Sequence, residues 1–514
     1  MMHRLKTSQS TVKFIIYTHI ISNQRIMSGT GLDSLSLSAI RVAYRNGQTT
    51  PSALCRGIYE NISSSNGIFI EIPSIDAVLQ RCKEIEEMSE DERGSLYGIP
   101  FTVKDNIDVA GSHTTAACPS FSYTPVSSAR VVDALLQQGA VFMGKTNLDQ
   151  FACGLVGTRT PYGIPQNAVH KGLVPGGSSS GSAVAVAGGY CTFALGTDTA
   201  GSGRVPAGVN GIVGIKPSVG LCSTVGVVPA CRSLDCPSIF CLNVEDGVEI
   251  LKIIENHDPY DPTWRPRLTE SKEKRLNQPG FLFAMPEEKY LQFEGPGGDS
   301  VASSMYDSFK KARENLESIG GTMVQIDFEP FKKIALLLYE GAFVAERYQG
   351  IREFLEQGRE CGPGKVLDIS EDERMLLITR KIIANTQQYS SADVFGSMDA
   401  LDTLKALARR ELDKIDVLVV PTAAYNYTVK EILEQESAGI GTMNANLGRF
   451  TNFVNFLGMC GISVPSGTFE CNLSDRMRPE DGDATCVQVP FGVTLLGKAW
   501  EDGLIGDVAK RFTM

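Results

Sequence analysis

Residues 175–204 read PGGSSSGSAVAVAGGYCTFALGTDTAGSGR. Two glycine loops bearing serines flank an apolar stretch, with Ser178 in the first and Ser202 in the second. Between them, the small residues Ser182–Gly188 predict a tightly packed helix and Phe193–Leu195 a buried strand. Glycines at such places let backbone approach a ligand or turn sharply. GTDTAGSGR at 196–204 turns directly off the strand, a mount that exposes a serine hydroxyl beside backbone N–H groups. No histidine occurs in the stretch. A third segment, GIPFTVKDNIDVAG at 98–111, puts Lys104 at the end of a short apolar run. A lysine that is buried and neutral can take the proton that a triad histidine would take. One lysine and two serines in this pattern predict an amide hydrolase.

Other motifs are set aside on context. Gly139-Ala-Val-Phe-Met-Gly144-Lys145-Thr146 satisfies the phosphate-loop pattern G-x-x-x-x-G-K-[ST]. Its four middle residues are apolar and predict a buried strand, whereas a phosphate loop needs exposed N–H groups between strand and helix. ATP binding is therefore rejected, and no cofactor is expected. GGSSSGS at 176–182 has linker-like composition, but it lies between apolar segments and opens a helix. The five histidines are His3, His19, His113, His170 and His257. His113, after a glycine turn close to Lys104, is the one rival base; His170 falls in a polar loop, NAVHKG.

Composition bounds the rest. The chain has 514 residues, is 42% hydrophobic and 21% charged, and carries a net charge of −11. These values suit a large globular core and argue against nucleic-acid or anionic-membrane surfaces. Thirteen cysteines form no C-x-x-C pair. Cys231, Cys236 and Cys241 recur at intervals that suit neither a metal loop nor one strand face, so no metal is expected and the thiols read as reduced and mostly buried. A cytoplasmic address follows. Residues 1–28 are basic, acid-free and hold a patch, FIIYTHII, too short to span a bilayer. They read as a disordered extension ahead of Met27, or alternatively as a mitochondrial presequence.

The globular region begins near Leu32. Thr50-Pro51 opens a helix to about Asn61, and Ser74 caps another with Ile75, Val78, Leu79, Cys82 and Ile85 on one face. Val131–Gln138 predicts a helix and Ala140–Met143 a strand. From 129 to 245 strands and helices alternate, which predicts an α/β fold with helices on both faces of a sheet. A Pro-rich, charged stretch at 256–279 reads as a surface connection. Beyond it come FLFAM (281–285, strand), a helix over 301–318, TMVQIDF (322–328, strand) and a long helix from Phe331 to Gln357. VLVVPTA (417–423) and VPFGVTLLG (489–497) predict further buried strands, and 472–484 a loop.

Together the segments GIPFTVKDNIDVAG, GAVFMGKTNLDQFACG, PGGSSSGSAVAVAGG and GTDTAGSGRVPAG resemble the amidase signature family, in that family's order, over roughly residues 30–514. The resemblance implies one domain over 29–514, built on a large twisted mixed sheet. It implies a triad of Lys104, Ser178 (after a cis peptide bond) and Ser202, with Ser202 the acyl-accepting nucleophile. Backbone N–H groups of Thr199, Ala200, Gly201 and Ser202 would form the oxyanion hole. Asp198 and Arg204 would pair to support the loop.

DTAGSGRVPA, TTAACPSF, LDQFACGLVGTRTPYG and VPACRSLDCPSIF further resemble the allophanate hydrolase branch. There a tyrosine and an arginine on one helix bind the substrate carboxylate, and LLLYEGAFVAERYQG matches them with Tyr339 and Arg347. Eight residues apart, both would share a helix face. The implied substrate is a small anionic amide, and the implied assembly a homodimer. Members of this branch continue into a smaller C-terminal domain, whereas this chain stops at Met514. A separate partner for decarboxylating the product is the corresponding expectation. A broad amidase of neutral amides, the glutaminase component of an amidotransferase and a non-catalytic scaffold remain as rival readings.

Overall fold

The computed structural model describes residues 30–62, 67–255, 258–266, 280–293, 295, 298–359, 367–474, 476–481 and 486–514. Eleven strands join in one sheet. They are β1 (Phe69–Glu71), β2 (Pro100–Lys104), β3 (Val141–Thr146), β4 (Phe193–Asp198), β5 (Val213–Lys216) and β6 (Cys236–Cys241), followed by β7 (Phe281–Ala284), β8 (Gly321–Met323), β9 (Val417–Pro421), β10 (Cys460–Asn472) and β11 (Cys486–Gly497). Their spatial order is β1-β3-β2-β4-β6-β5-β10-β11-β9-β7-β8. Every residue of β2, β4, β5, β6 and β9 is buried. Side chains alternate between the two faces of a strand, so these strands are covered on both sides and the molecule is α/β. The edge strands β1 and β8 have three residues each and are only partly buried, which limits pairing with other chains.

Strands β3, β2 and β4 run parallel to one another. Their C-terminal ends therefore meet at one rim of the sheet, where ligands bind in α/β proteins. Lys104 ends β2, Asn147–Asp149 follow β3, and the Ser202 loop follows β4.

Helix starts follow the capping chemistry. Thr50 Oγ1 accepts from Ala53 N ahead of Pro51–Ile62, and Ser74 Oγ from Ala77 N ahead of Ile75–Glu86. The helix α1 (Ser180–Ala187) is made of small residues and is almost wholly buried. The phosphate-loop pattern lies inside β3: Gly144 and Lys145 are strand residues, and Lys145 pairs with Asp105 at 3.3 Å.

Three expectations change. TMVQIDF contributes only Thr322 and Met323 to β8, because its neighbour β7 ends at Ala284, shortly before Pro286. The long helix from Phe331 to Gln357 is broken into α2 (Glu329–Glu340), a short turn at Ala342–Val344, α3 (Ala345–Gly350) and Arg352–Glu356. The break is at Gly341, which is extended at ψ 174°. A Cβ there would sit 2.6 Å from Leu337 O. Of the segment 472–484, Asn472 ends β10 and Pro479–Asp481 form a single turn.

Strands β1, β5, β6 and β10 had no counterpart in the sequence reading. Residues 1–28, with His3 and His19, lie outside the described residues, as do His257 and most of 256–279.

Candidate active site

Three chain segments converge at the rim. Lys104 Nζ lies 2.7 Å from Ser178 Oγ and 2.7 Å from Thr197 Oγ1. The amine is completely buried and has no ion-pair partner among the described residues. Burial lowers its pKa from 10.5 to about 7; the charges of Asp149, Asp235 and Asp198 oppose that fall, and Arg347 reinforces it. Lys145, on the adjacent strand, is buried too, but it has Asp105 as counter-ion and also donates to His113 O and Thr114 Oγ1. Lys216 donates to the carbonyls of Pro217 and Met459. Of these three buried lysines, Lys104 is the one in contact with a serine hydroxyl.

Ser178 follows a cis peptide bond from Gly177 and precedes α1. Its carbonyl accepts from Asp149 N at 3.0 Å. The next residue, Ser179, docks this loop on the end of β4, its Oγ donating to Thr197 O at 3.1 Å. The Ser178 loop is therefore held a few residues upstream of Ser202.

Ser202 sits on a turn organised by one carboxylate. Asp198 accepts from Gly201 N, Gly203 N, Arg204 Nε and Arg204 Nη2, all at 2.9–3.0 Å. Arg204 also donates to Thr451 O and Asn455 Oδ1. Both side chains are fully buried, and the guanidinium holds the Asp198 carboxyl below its usual range against the opposing effect of burial. Gly201 takes φ 136°, and a Cβ there would lie 2.3 Å from Thr451 Oγ1, so glycine is required.

The N–H groups of this turn differ in what they bond. The Gly201 N–H is committed to Asp198, while the N–H groups of Thr199, Ala200 and Ser202 donate to nothing among the described residues. The Ser202 hydroxyl likewise makes no hydrogen bond among them. Lys104 and Ser178 are thus in contact, and Ser202 stands on the adjoining loop with its hydroxyl uncommitted.

Tyr339 and Arg347 do meet, but not along one helix. The break at Gly341 separates α2 from α3, and the fold back brings Arg347 Nη2 to 3.4 Å from Tyr339 Oη. Arg347 is 3% exposed, and its other contacts are Ala152 O and Cys153 Sγ. None of these partners carries a formal negative charge. Its field acts on Lys104 and on Asp235, which ties the Tyr339–Arg347 pair electrically to the rim.

His113 does not join the site. It is exposed, and its Nδ1 lies 3.3 Å from Glu71 Oε2. His170 Nδ1 accepts from Gly172 N. Among the described residues no cluster of His, Cys, Asp and Glu is placed to hold a metal, and no helix is long and apolar enough to cross a membrane.

Several site residues escaped the sequence reading. Thr197 accepts from Lys104 and from Asn106 Nδ2. Asp235 accepts from Thr199 Oγ1, Ala230 N and Cys231 N, and burial raises its pKa to about 6. Thr197, Asn106 and Asp235 all lie within quoted motifs, as polar residues in or beside apolar runs. That was their only signal, since the contact from Thr199 to Asp235 crosses 36 residues.

Lys104 touches Ser178 beside the Ser202 turn, whose uncommitted N–H groups among the described residues are donors an amide oxygen can use. The chain belongs to the amidase family, whose model, described as Amidase, matches residues 53–505. It is 38% identical over 453 residues to the urea amidolyase of Saccharomyces cerevisiae, covering 88% of this chain and 22% of that protein. The chain therefore spans about a fifth of the urea amidolyase it matches.

Its structure is similar to that of an allophanate hydrolase from Kluyveromyces lactis (TM-score 0.78, 35% identity), covering 94% of this chain and 73% of that one. It is also 29% identical to a glutamyl-tRNA(Gln) amidotransferase component of Thermoanaerobacter pseudethanolicus, over 94% of this chain and 96% of that protein.

Proposed function

We propose that this amidase hydrolyses the terminal amide of allophanate (urea-1-carboxylate), releasing ammonia and N-carboxycarbamate. One observation carries the choice of substrate: Arg347 is a buried cation with no carboxylate partner among the described residues, next to the Tyr339 hydroxyl. A substrate carboxylate would supply the missing counter-charge in guanidinium geometry. The likeness to urea amidolyase and allophanate hydrolase supports the same reading.

In the mechanism, Lys104 acts as the neutral amine. The 2.7 Å contact then runs from the Ser178 hydroxyl to Nζ. Ser178 passes its proton to Lys104 as it takes the proton of Ser202, whose oxygen attacks the amide carbon. The N–H groups of Thr199, Ala200 and Ser202 receive the developing oxyanion, at about 3–4 kcal/mol for a critical donor. Asp198 and Arg204 keep the turn rigid. The proton returns through Ser178 to the departing ammonia, and water releases the acyl group. A homodimer, and a separate protein that decarboxylates the product, complete the proposal.

The test is ammonia release by the purified chain from allophanate, malonamate and propionamide. Preference for the two carboxylate-bearing amides is the expected result. Equal turnover of propionamide would instead assign a broad amidase. Activity on glutamine alone, and only with partner proteins, would assign an amidotransferase component.

A further inference from the structure

A buried thiol, Cys153, lies against the Arg347 guanidinium. Cys153 Sγ lies 3.3 Å from Arg347 Nη1 and accepts its hydrogen bond. The same nitrogen donates to Ala152 O at 3.3 Å. Arg347 Nε has no hydrogen-bond partner among the described residues, although the side chain is 3% exposed. The guanidinium is thus held by long contacts to uncharged groups, with a donor left over for a ligand.

The backbone is bent to make this arrangement. Phe151 and Ala152 adopt left-handed φ values of 51° and 54°. Non-glycine residues held there cost roughly 1–3 kcal/mol each and persist where their surroundings enforce them. Here Phe151 N donates to Ala116 O, Ala152 N to Asp149 O and Cys153 N to Gln150 O. The Phe151 ring packs against Phe121 and Phe354. The product of this turn is that Ala152 O and Cys153 Sγ face Arg347 together.

We propose that Cys153 is an anion-directed alkylation site, modified selectively by small carboxylate-bearing electrophiles of the haloacetate class that Arg347 draws to it. The proposal rests on the reading of Arg347 as a carboxylate ligand. In the reaction with iodoacetate, the Cys153 sulfur attacks the methylene carbon. A C–S bond forms, the C–I bond breaks, iodide leaves with the bonding pair, and the thiol proton passes to buffer. The carboxymethyl group then holds its carboxylate against Arg347, where the substrate's would bind. Cys231 also feels the Arg347 charge, but it makes no hydrogen bond to the guanidinium, and burial pushes its thiol up.

The experiment compares iodoacetate with neutral iodoacetamide on the intact protein, mapping each alkylated cysteine by mass spectrometry while following amide turnover. Iodoacetate is expected to modify Cys153 at least about tenfold faster than iodoacetamide, with parallel loss of turnover and protection by malonate. Arg347→Met should abolish the preference. Cys153→Ser should keep, through iodoacetate treatment, whatever turnover it starts with. Equal labelling by the two reagents, or a preference that survives Arg347→Met, would overturn the proposal. Malonate competition against the amide substrate, measured without alkylating agent, separates the two layers. If malonate competes and Cys153 is not preferentially labelled, the thiol inference alone fails. If malonate does not compete, the carboxylate reading fails with it.

Discussion

Replacing Arg347 by methionine separates charge recognition from catalysis. The guanidinium contacts Ala152 O and Cys153 Sγ at 3.3 Å and Tyr339 Oη at 3.4 Å, and none of these is charged. Removing it breaks no ion pair among the described residues. Methionine keeps most of the stem volume, so the melting temperature should hold or rise, as when buried charges are replaced by apolar groups. A bound carboxylate would be left buried and unpaired, a loss of about 3–5 kcal/mol. At about 1.36 kcal/mol per power of ten, kcat/KM for allophanate and malonamate should fall by roughly two to four powers of ten. Propionamide, which lacks the carboxylate, should lose less than about tenfold. The assay is ammonia release from each substrate by wild type and variant at one pH. Equal fractional losses on charged and neutral amides would refute carboxylate recognition by Arg347.

Ser202→Ala should lower kcat by at least about 10⁴-fold with an unchanged unfolding midpoint, and appreciable turnover would exclude Ser202 as nucleophile. Thr197→Val removes an acceptor that favours the ammonium form of Lys104, so the acid limb of the kcat/KM profile should move down by roughly 0.5–1 pH unit. A limb that stays in place would deny Thr197 that influence. Asp198→Asn breaks a fully buried pair with Arg204 and should cost about 3–5 kcal/mol in urea unfolding. A cost below about 1 kcal/mol would show that the turn does not depend on this pair.

The site was legible where chemistry sits in short contiguous motifs. Lys104, Ser178 and Ser202 each fall at the end of an apolar run or in a glycine loop, and the parallel order of β2 and β4 brings those ends to one rim. The false phosphate loop was legible for the same reason, since an apolar run through Phe142 and Met143 can only be strand. What escaped was set by partners distant in sequence. β6 and β10 are strands because they pair with β4, β5 and β11, and CPSIFC alone carries no alternation to announce it. The helix holding Tyr339 and Arg347 was read as continuous because the spacing of apolar residues continues past Gly341. The clash that a side chain would meet at Leu337 O is visible only in three dimensions. The hydrogen bond from Gly201 N to Asp198 is likewise invisible in the sequence, because it depends on how the turn folds back.

The mechanism proposed above depends on the charge state of Lys104. Its folded-state pKa lies below that of the unfolded chain, so the neutral base accumulates as pH rises through about 7. The unfolded chain keeps the proton up to about 10.5, so this group's contribution to stability grows with pH between those two values. The direct measurement is an NMR titration of the ε-methylene groups in protein carrying ¹³C-labelled lysine, with Lys104→Met assigning the resonance. A midpoint near 7, matched by the rise in kcat/KM, is the predicted result. A midpoint near the ordinary lysine value of 10.5 would contradict the mechanism.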